Sequence, residues 1–211
     1  SSTKHNRTFA KVVLLALIIF GLIQQPTSAQ GVTEANLKQG NGNNGTIEQD
    51  GPNNWASLTQ LGNSNIGYLR HQGQGNNSTL TQLGSSNQAS TTLVGDNNFS
   101  FQSQNGWDNK LSISLDGSSN SFFQIQLGTG NEAEANVTGS RNTVFQTQSG
   151  LNHYSKVNIF GDNNTVNHLQ IGDFAWNEEI NVGGNNKTKM VQSYLLVEPP
   201  AWEGDYYETT P

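Results

Sequence analysis

Apolar and polar residues alternate in short bursts along most of this chain. In Asn109-Lys-Leu-Ser-Ile-Ser-Leu115 every second residue is aliphatic, and Asn131-Glu-Ala-Glu-Ala-Asn-Val137 repeats the pattern with smaller side chains. Tyr154-Ser-Lys-Val-Asn-Ile159 keeps Ser155, Val157 and Ile159 on one side. A period of two is the mark of a strand with one buried face. Between the bursts stand Gly-x-x-Asn clusters such as Gly62-Asn-Ser-Asn65 and Gly117-Ser-Ser-Asn120. Glycine accepts positive φ freely, and asparagine tolerates the left-handed region while bonding its own backbone, so these clusters predict turns. About seven residues of strand and four of turn leave no room for a helix.

The turns are strictly periodic. Glycine recurs every eleven residues at Gly40, Gly51, Gly62, Gly73, Gly84, Gly95, Gly106, Gly117, Gly128, Gly139, Gly150, Gly161, Gly172 and Gly183. Three residues later stand Asn43, Asn54, Asn65, Asn76, Asn87, Asn98, Asn109, Asn120, Asn131, Asn142, Asn164 and Asn186, with His153 and Ala175 the exceptions. Two residues before every second glycine stand Gln60, Gln82, Gln104, Gln126, Gln148, Gln170 and Gln192. The interleaved places hold Gln49, His71, Leu93, Leu115, Val137, Ile159 and Asn181. The unit is therefore twenty-two residues, made of a glutamine-bearing first strand and an unlike second strand. Such a period predicts an all-β solenoid of about seven rungs, in which residue i lies over residue i+22 and like side chains stack.

Parity decides what points inward. In the second strands Leu111, Ile113, Leu115, Ala133, Ala135, Val137, Val157 and Ile159 face the core. In the first strands two registers compete: one buries Asn120, Phe122, Gln124 and Gln126, the other Phe123, Ile125 and Leu127. The glutamine column is the stricter one, and stacked amides satisfy one another's donors and acceptors, so the first register is preferred. An unstacked buried amide would cost a few kcal/mol. This choice predicts an outward stripe of Phe101, Phe123 and Phe145, flanked by Leu83, Leu127 and Ile171, as a candidate lateral contact.

Composition adds a compartment and an end. Lys4, Arg7 and Lys11 precede the apolar run 12–23, and Thr27-Ser28-Ala29 fits a cleavage site, so residues 1–29 read as a secretory signal peptide. Its loss takes three cations and no acid, leaving seven Lys+Arg against sixteen Asp+Glu, which argues against a nucleic-acid partner. Residues 30–42 read as a lead-in with a partial repeat, since Lys38 stands where glutamine belongs. Residues 43–194 carry the repeat. Residues 195–211, with Pro199, Pro200, Trp202, Tyr206 and Tyr207, read as an acidic aromatic tail in which the prolines end the ladder. No cysteine is present, so disulfides contribute nothing.

Catalytic and metal chemistry find no foothold. The acids Asp50, Asp96, Asp116 and Asp162 stand singly in turns, and His71, His153 and His168 share no column. No enzyme activity, cofactor or metal is expected. The rival reading is a monomeric ligand- or ice-binding solenoid; ice binding would need a regular outward threonine array, and the column Thr59, Thr81, Ser103, Ile125, Thr147, Leu169, Val191 is too mixed.

The repeat resembles that of the curlin family, the subunits of extracellular amyloid fibres called curli. The family repeat reads Ser-x5-Gln-x-Gly-x-Gly-Asn-x-Ala-x3-Gln, and here one unit reads Asn120-x5-Gln126-x-Gly128-x-Gly130-Asn131-x-Ala133-x3-Val137. The correspondence runs over residues 43–194. Asparagine replaces the opening serine, the second glycine is usually absent, and the closing glutamine survives only as Gln49. The resemblance implies a secreted, self-assembling cell-surface fibre of a Gram-negative-type bacterium. It further implies export through a curli-type outer-membrane channel, with a nucleator subunit and periplasmic chaperones as partners. The alternative role within the family is that of a minor, nucleator-type subunit, which the degenerate repeat at Ala175 and the tail leave open.

Overall fold

A computed structural model describes residues 33–194; the expected signal peptide and the tail at 195–211 lie outside the described residues. The chain divides into residues 1–30 and 31–211, and the description concerns the second unit. Its strands in chain order are β1 (Thr33–Gln39), β2 (Asn44–Asp50), β3 (Trp55–Asn63), β4 (Ile66–Gln72) and β5 (Asn77–Ser85). They continue as β6 (Gln88–Val94), β7 (Phe99–Trp107), β8 (Lys110–Asp116), β9 (Ser121–Thr129) and β10 (Glu132–Thr138). The last are β11 (Thr143–Leu151), β12 (Tyr154–Phe160), β13 (Thr165–Asp173), β14 (Trp176–Val182) and β15 (Lys187–Tyr194).

Odd-numbered strands form one parallel sheet of eight and even-numbered strands a second of seven. Every pairing is in register at twenty-two residues, as in Gln104↔Gln126 and Leu93↔Leu115. The fold is a β-solenoid of seven and a half rungs, with the core between the two sheets. At a strand spacing of ~4.8 Å the stack is about 36 Å tall.

The period of eleven has a steric cause. In each turn the glycine has positive φ, and a side chain on Gly117 (φ 145°) would overlap the carbonyl oxygen of Gly139 in the next rung. Only a residue without Cβ lets rungs approach to strand spacing there. Two residues later the backbone is left-handed again, at Asn53, Ser64, Asn97, Arg141 and Phe174 among others. The turns also bond from rung to rung, as when the Gly117 N–H donates to the Val94 carbonyl at 3.0 Å.

The inward residues of the first strands are the glutamine parity. Asn120, Phe122, Gln124 and Gln126 are buried, while Phe123, Ile125 and Leu127 are half-buried. Apolar residues at the inner positions divide into two clusters. One holds Leu58, Leu69, Leu80 and Leu111; the other holds Leu115, Phe122, Val137, Val144 and Ile159.

One expectation gains detail and another needs correction. The partial repeat of the lead-in forms a full strand, β1, paired with β3 from Thr33↔Trp55 to Gln39↔Leu61. Backbone pairing does not require the glutamine, and Lys38 turns its Nζ to the Gly45 carbonyl instead, at 3.0 Å. The outward phenylalanine stripe is also uneven. Phe145 is 38% exposed, but Phe101 is only 2% exposed, together with its neighbour Ser103. Phe101 stands mid-sheet between Thr79 and Phe123, and the rings of Phe99 and Phe123 meet across its flank at 5.3 Å. The parallel Phe123–Phe145 stack, 4.8 Å between centroids, is what remains of the stripe at the surface.

Candidate functional site: amide ladders and open edges

The glutamine column runs from β3 to β15. Gln60 Nε2 donates to Gln82 Oε1 at 2.8 Å, and the chain of bonds continues through Gln104, Gln126, Gln148 and Gln170 to Gln192 at 2.7–3.1 Å. The second N–H of each amide goes to a second-strand carbonyl, as from Gln82 to Ile66 at 2.9 Å and from Gln126 to Lys110 at 2.9 Å. All donors in this ladder point toward the C-terminal end. At its start Lys38 takes the glutamine place, and the buried Gln60 Oε1 has no donor among the described residues. Low dielectric strengthens each link and makes any break costly.

A second, shorter ladder lies beside it. Gln102 donates to Gln124 at 2.9 Å and Gln124 to Gln146 at 2.7 Å. Thr91 Oγ1 opens it by donating to Gln102 Oε1 at 2.6 Å. It closes on a polar cluster that sequence reasoning did not assemble. Gln146 Nε2 donates to Ser155 Oγ at 3.1 Å, Ser155 Oγ lies 3.1 Å from His168 Nδ1, and His168 Nε2 pairs with the Glu179 carboxylate. Asn177 Nδ2 adds a contact to the ring at 2.9 Å. Serine, histidine and glutamate are the residue types of an acyl-transfer triad. Here Ser155 and His168 are buried, with the hydroxyl engaged by Gln146, so the cluster acts as a hydrogen-bonded plug in the core. The available signal was parity: His168 follows Gln102, Gln124 and Gln146 in one inward column, and Glu179 follows Ile113, Ala135 and Val157 in the facing one.

The asparagine columns at the turns run in the opposite sense. Asn109 donates through its backbone N–H and Nδ2 to Asn87 Oδ1, at 3.2 and 3.0 Å, and Nδ2 also reaches the Gly128 carbonyl at 2.9 Å. The same pattern recurs from Asn43 to Asn131 along one edge and from Asn54 to Asn186 along the other, although the paired Nδ2-to-Oδ1 bond is not made at every step. His153 fills an asparagine place by imitation. Its Nδ1 accepts from the Ala175 N–H at 3.1 Å, as Oδ1 would, and its Nε2 faces the Ser149 carbonyl at 3.3 Å, as Nδ2 would.

His71 is the remaining interior histidine. Its Nε2 lies 2.6 Å from Ser78 Oγ, and burial pushes its pKa down to about 4, so the ring is neutral in the folded state at neutral pH. The outer face of the seven-stranded sheet instead carries ion pairs, Lys110–Glu132 at 2.8 Å and Lys156–Glu134 at 3.2 Å. Exposed pairs of this kind contribute little to stability. Among the described residues no cluster of three or more His, Cys, Asp or Glu converges as a metal site would require.

Both ends of the stack present strand edges. Among the described residues β1 and β2 at one end, and β14 and β15 at the other, each pair with one neighbour only. Leu37 and Val191, on these outermost strands, are 59% and 54% exposed. Comparison of the chain with family models, curated proteins and solved structures returns no match.

Proposed function

We propose that this protein is a secreted, self-assembling structural subunit of an extracellular, curli-like amyloid fibre. The observation that carries this reading is the pair of strand edges that, among the described residues, stand open at the two ends of a stack whose every rung is already a template for the next. An open edge of N–H and C=O groups recruits another strand. When the top of one copy complements the bottom of another, the contact is heterologous and propagates as a filament. Rungs that continue across subunits at strand spacing make a cross-β fibre, and continuous amide ladders stabilise it.

In this reading the partner is a second copy of the chain, and the fibre belongs to the cell surface of a Gram-negative-type bacterium as matrix or adhesin. The curlin-like repeat supports a dedicated outer-membrane export channel, a nucleating subunit and periplasmic chaperones as further partners. The test is a time course of sedimentation and amyloid-dye binding on the purified chain. Growth after a lag, with fibres in the micrograph, is the expected result. A stable soluble monomer that never seeds would overturn the reading.

A further inference from the structure

We propose that successive copies in the fibre join with a half-rung offset, each turned by 180° about the stack axis, so that β2 of one copy stacks on β15 of the copy before it. This inference rests on the assembly reading above and specifies its joint. It starts from an odd number: among the described residues fifteen strands give eight in one sheet and seven in the other, so the described stack ends on half a rung. The period would put a sixteenth strand at residues 198–204, where Pro199 and Pro200 lack the N–H that a ladder needs.

Two joints are available. In the in-phase joint β1 docks on β15. Lys38 then stands over Gln192, setting an ammonium that has only donors against an amide whose free N–H also donates. The second-strand place of that rung stays empty, so β2 is held one strand spacing of ~4.8 Å too far from β14. The single gain is Leu37 over Val191.

The half-rung joint leaves no place empty. β1 takes the missing second-strand place over β14, and β2 lies over β15. The eleven-residue period makes this possible, because it gives both halves of a rung the same turn and the same strand parity. Several columns at the end then meet their own kind, although Tyr194 stands where the turn glycine would meet Gly51. Gln49 lies over Gln192, whose Nε2 donates to the Trp176 carbonyl at 3.1 Å and, like each glutamine before it, has a second N–H for the next Oε1. Gln49 is the one glutamine of the second-strand column, and it stands in the first rung. Ile47 lies over Met190. Asn43 lies over Asn186, whose Oδ1 is placed for the Asn43 N–H as Asn164 Oδ1 is for the Asn186 N–H, at 3.1 Å. Gly40 lies over Gly183, which has open space where mid-stack turn glycines meet the next rung's backbone. On the outside, the exposed Glu48 of β2 comes over Val191, one outward place from the exposed Lys189 of β15.

The chain has no cysteine, so engineered pairs report the joint cleanly. Ser193 neighbours Asp50 of the next copy in the half-rung joint and Gln39 of the next copy in the in-phase joint. Within one copy these positions lie at opposite ends of the stack. In-register neighbours on adjacent strands are close enough for a disulfide. Fibres of the S193C/D50C double variant, oxidised and dissolved in denaturant, should run as a covalent ladder on a non-reducing gel, while S193C/Q39C fibres should run as monomer. The reverse result overturns the half-rung joint and leaves the fibre reading standing, and fibres linked by neither pair overturn it equally. Failure of the unmodified chain to form fibres overturns the assembly reading itself. Helical reconstruction of the unmodified fibre decides the matter without substitutions: 180° per rise of about 36 Å is expected, against no rotation at about 38 Å for the in-phase joint.

Discussion

The two sheets share a backbone and a register but line their inner faces with different chemistry. The eight-stranded sheet carries the Gln60–Gln192 ladder, and the same residue is repeated at every rung from β3 to β15. The seven-stranded sheet carries Leu93, Leu115, Val137 and Ile159 in its matching column, and there the residue changes from rung to rung. The difference follows from directionality. An amide bonded to the rung above and the rung below has no substitute of equal shape that keeps both bonds. Aliphatic contact has no direction, so any branched side chain of similar volume fills the place. A stacked fold therefore tolerates variation most readily in columns whose interactions are not hydrogen bonds.

The largest effect is expected where the comparison must break down, at the turns that both sheets share. Gly117→Ala should prevent the stack from forming, a loss of more than about 4 kcal/mol, because neither sheet has slack for a Cβ there. Gly183→Ala meets open space and should cost only the strain of a left-handed alanine, about 1–3 kcal/mol. Circular dichroism and the denaturation midpoint of each variant check this.

Equal-volume swaps sharpen the contrast between the sheets. Gln126→Met orphans the Gln104 amide N–H and the Gln148 carbonyl oxygen and should cost roughly 2–6 kcal/mol. Leu115→Met in the facing sheet should cost less than about 1.5 kcal/mol. Comparable midpoints for the two variants in urea would contradict the account of the columns.

His71 stands between Gln49 and the aliphatic run of its column and makes that sheet pH-sensitive. Its folded pKa, about 4, lies below the unfolded value of 6.5, so the unfolded chain binds the proton more tightly in between. Stability from this site is complete above pH 6.5 and is lost as pH falls toward 4, by about 3 kcal/mol in all. His71→Leu, matching Leu93 and Leu115 above it, should remove that part of the pH dependence in a titration of thermal stability.

The smallest effect belongs to the turn residue Phe174, exposed and left-handed at φ 59°. Phe174→Gly should stabilise by about 1 kcal/mol, relieving strain that neither sheet uses. A differential scan of the two chains suffices.

What was legible in the sequence was whatever repeats. Gly117 and its companions announced the turns because a steric constraint acts at every rung, and Gln126 announced the ladder because a hydrogen-bond constraint does. The parity of the first strands followed from that strictness even though Phe123, Ile125 and Leu127 made the other face look more apolar. Features that occur once were not legible. The meeting of His168 with Glu179 depends on which inward columns face each other across the core, and periodicity alone leaves that open. Phe101 was misread because its parity is outward while its neighbours enclose it. β1 was legible only as a partial repeat because Lys38 spoils a side-chain column, although pairing needs only backbone.

The register of twenty-two residues has a consequence for how such a gene can change. Each rung touches only the rung before and the rung after, so an in-frame duplication or loss of one unit rejoins every column without a new packing problem. Chain length is then free to drift by recombination within the repeats. A slip of eleven residues would keep every turn glycine in place while setting amides against aliphatics, and selection should remove it.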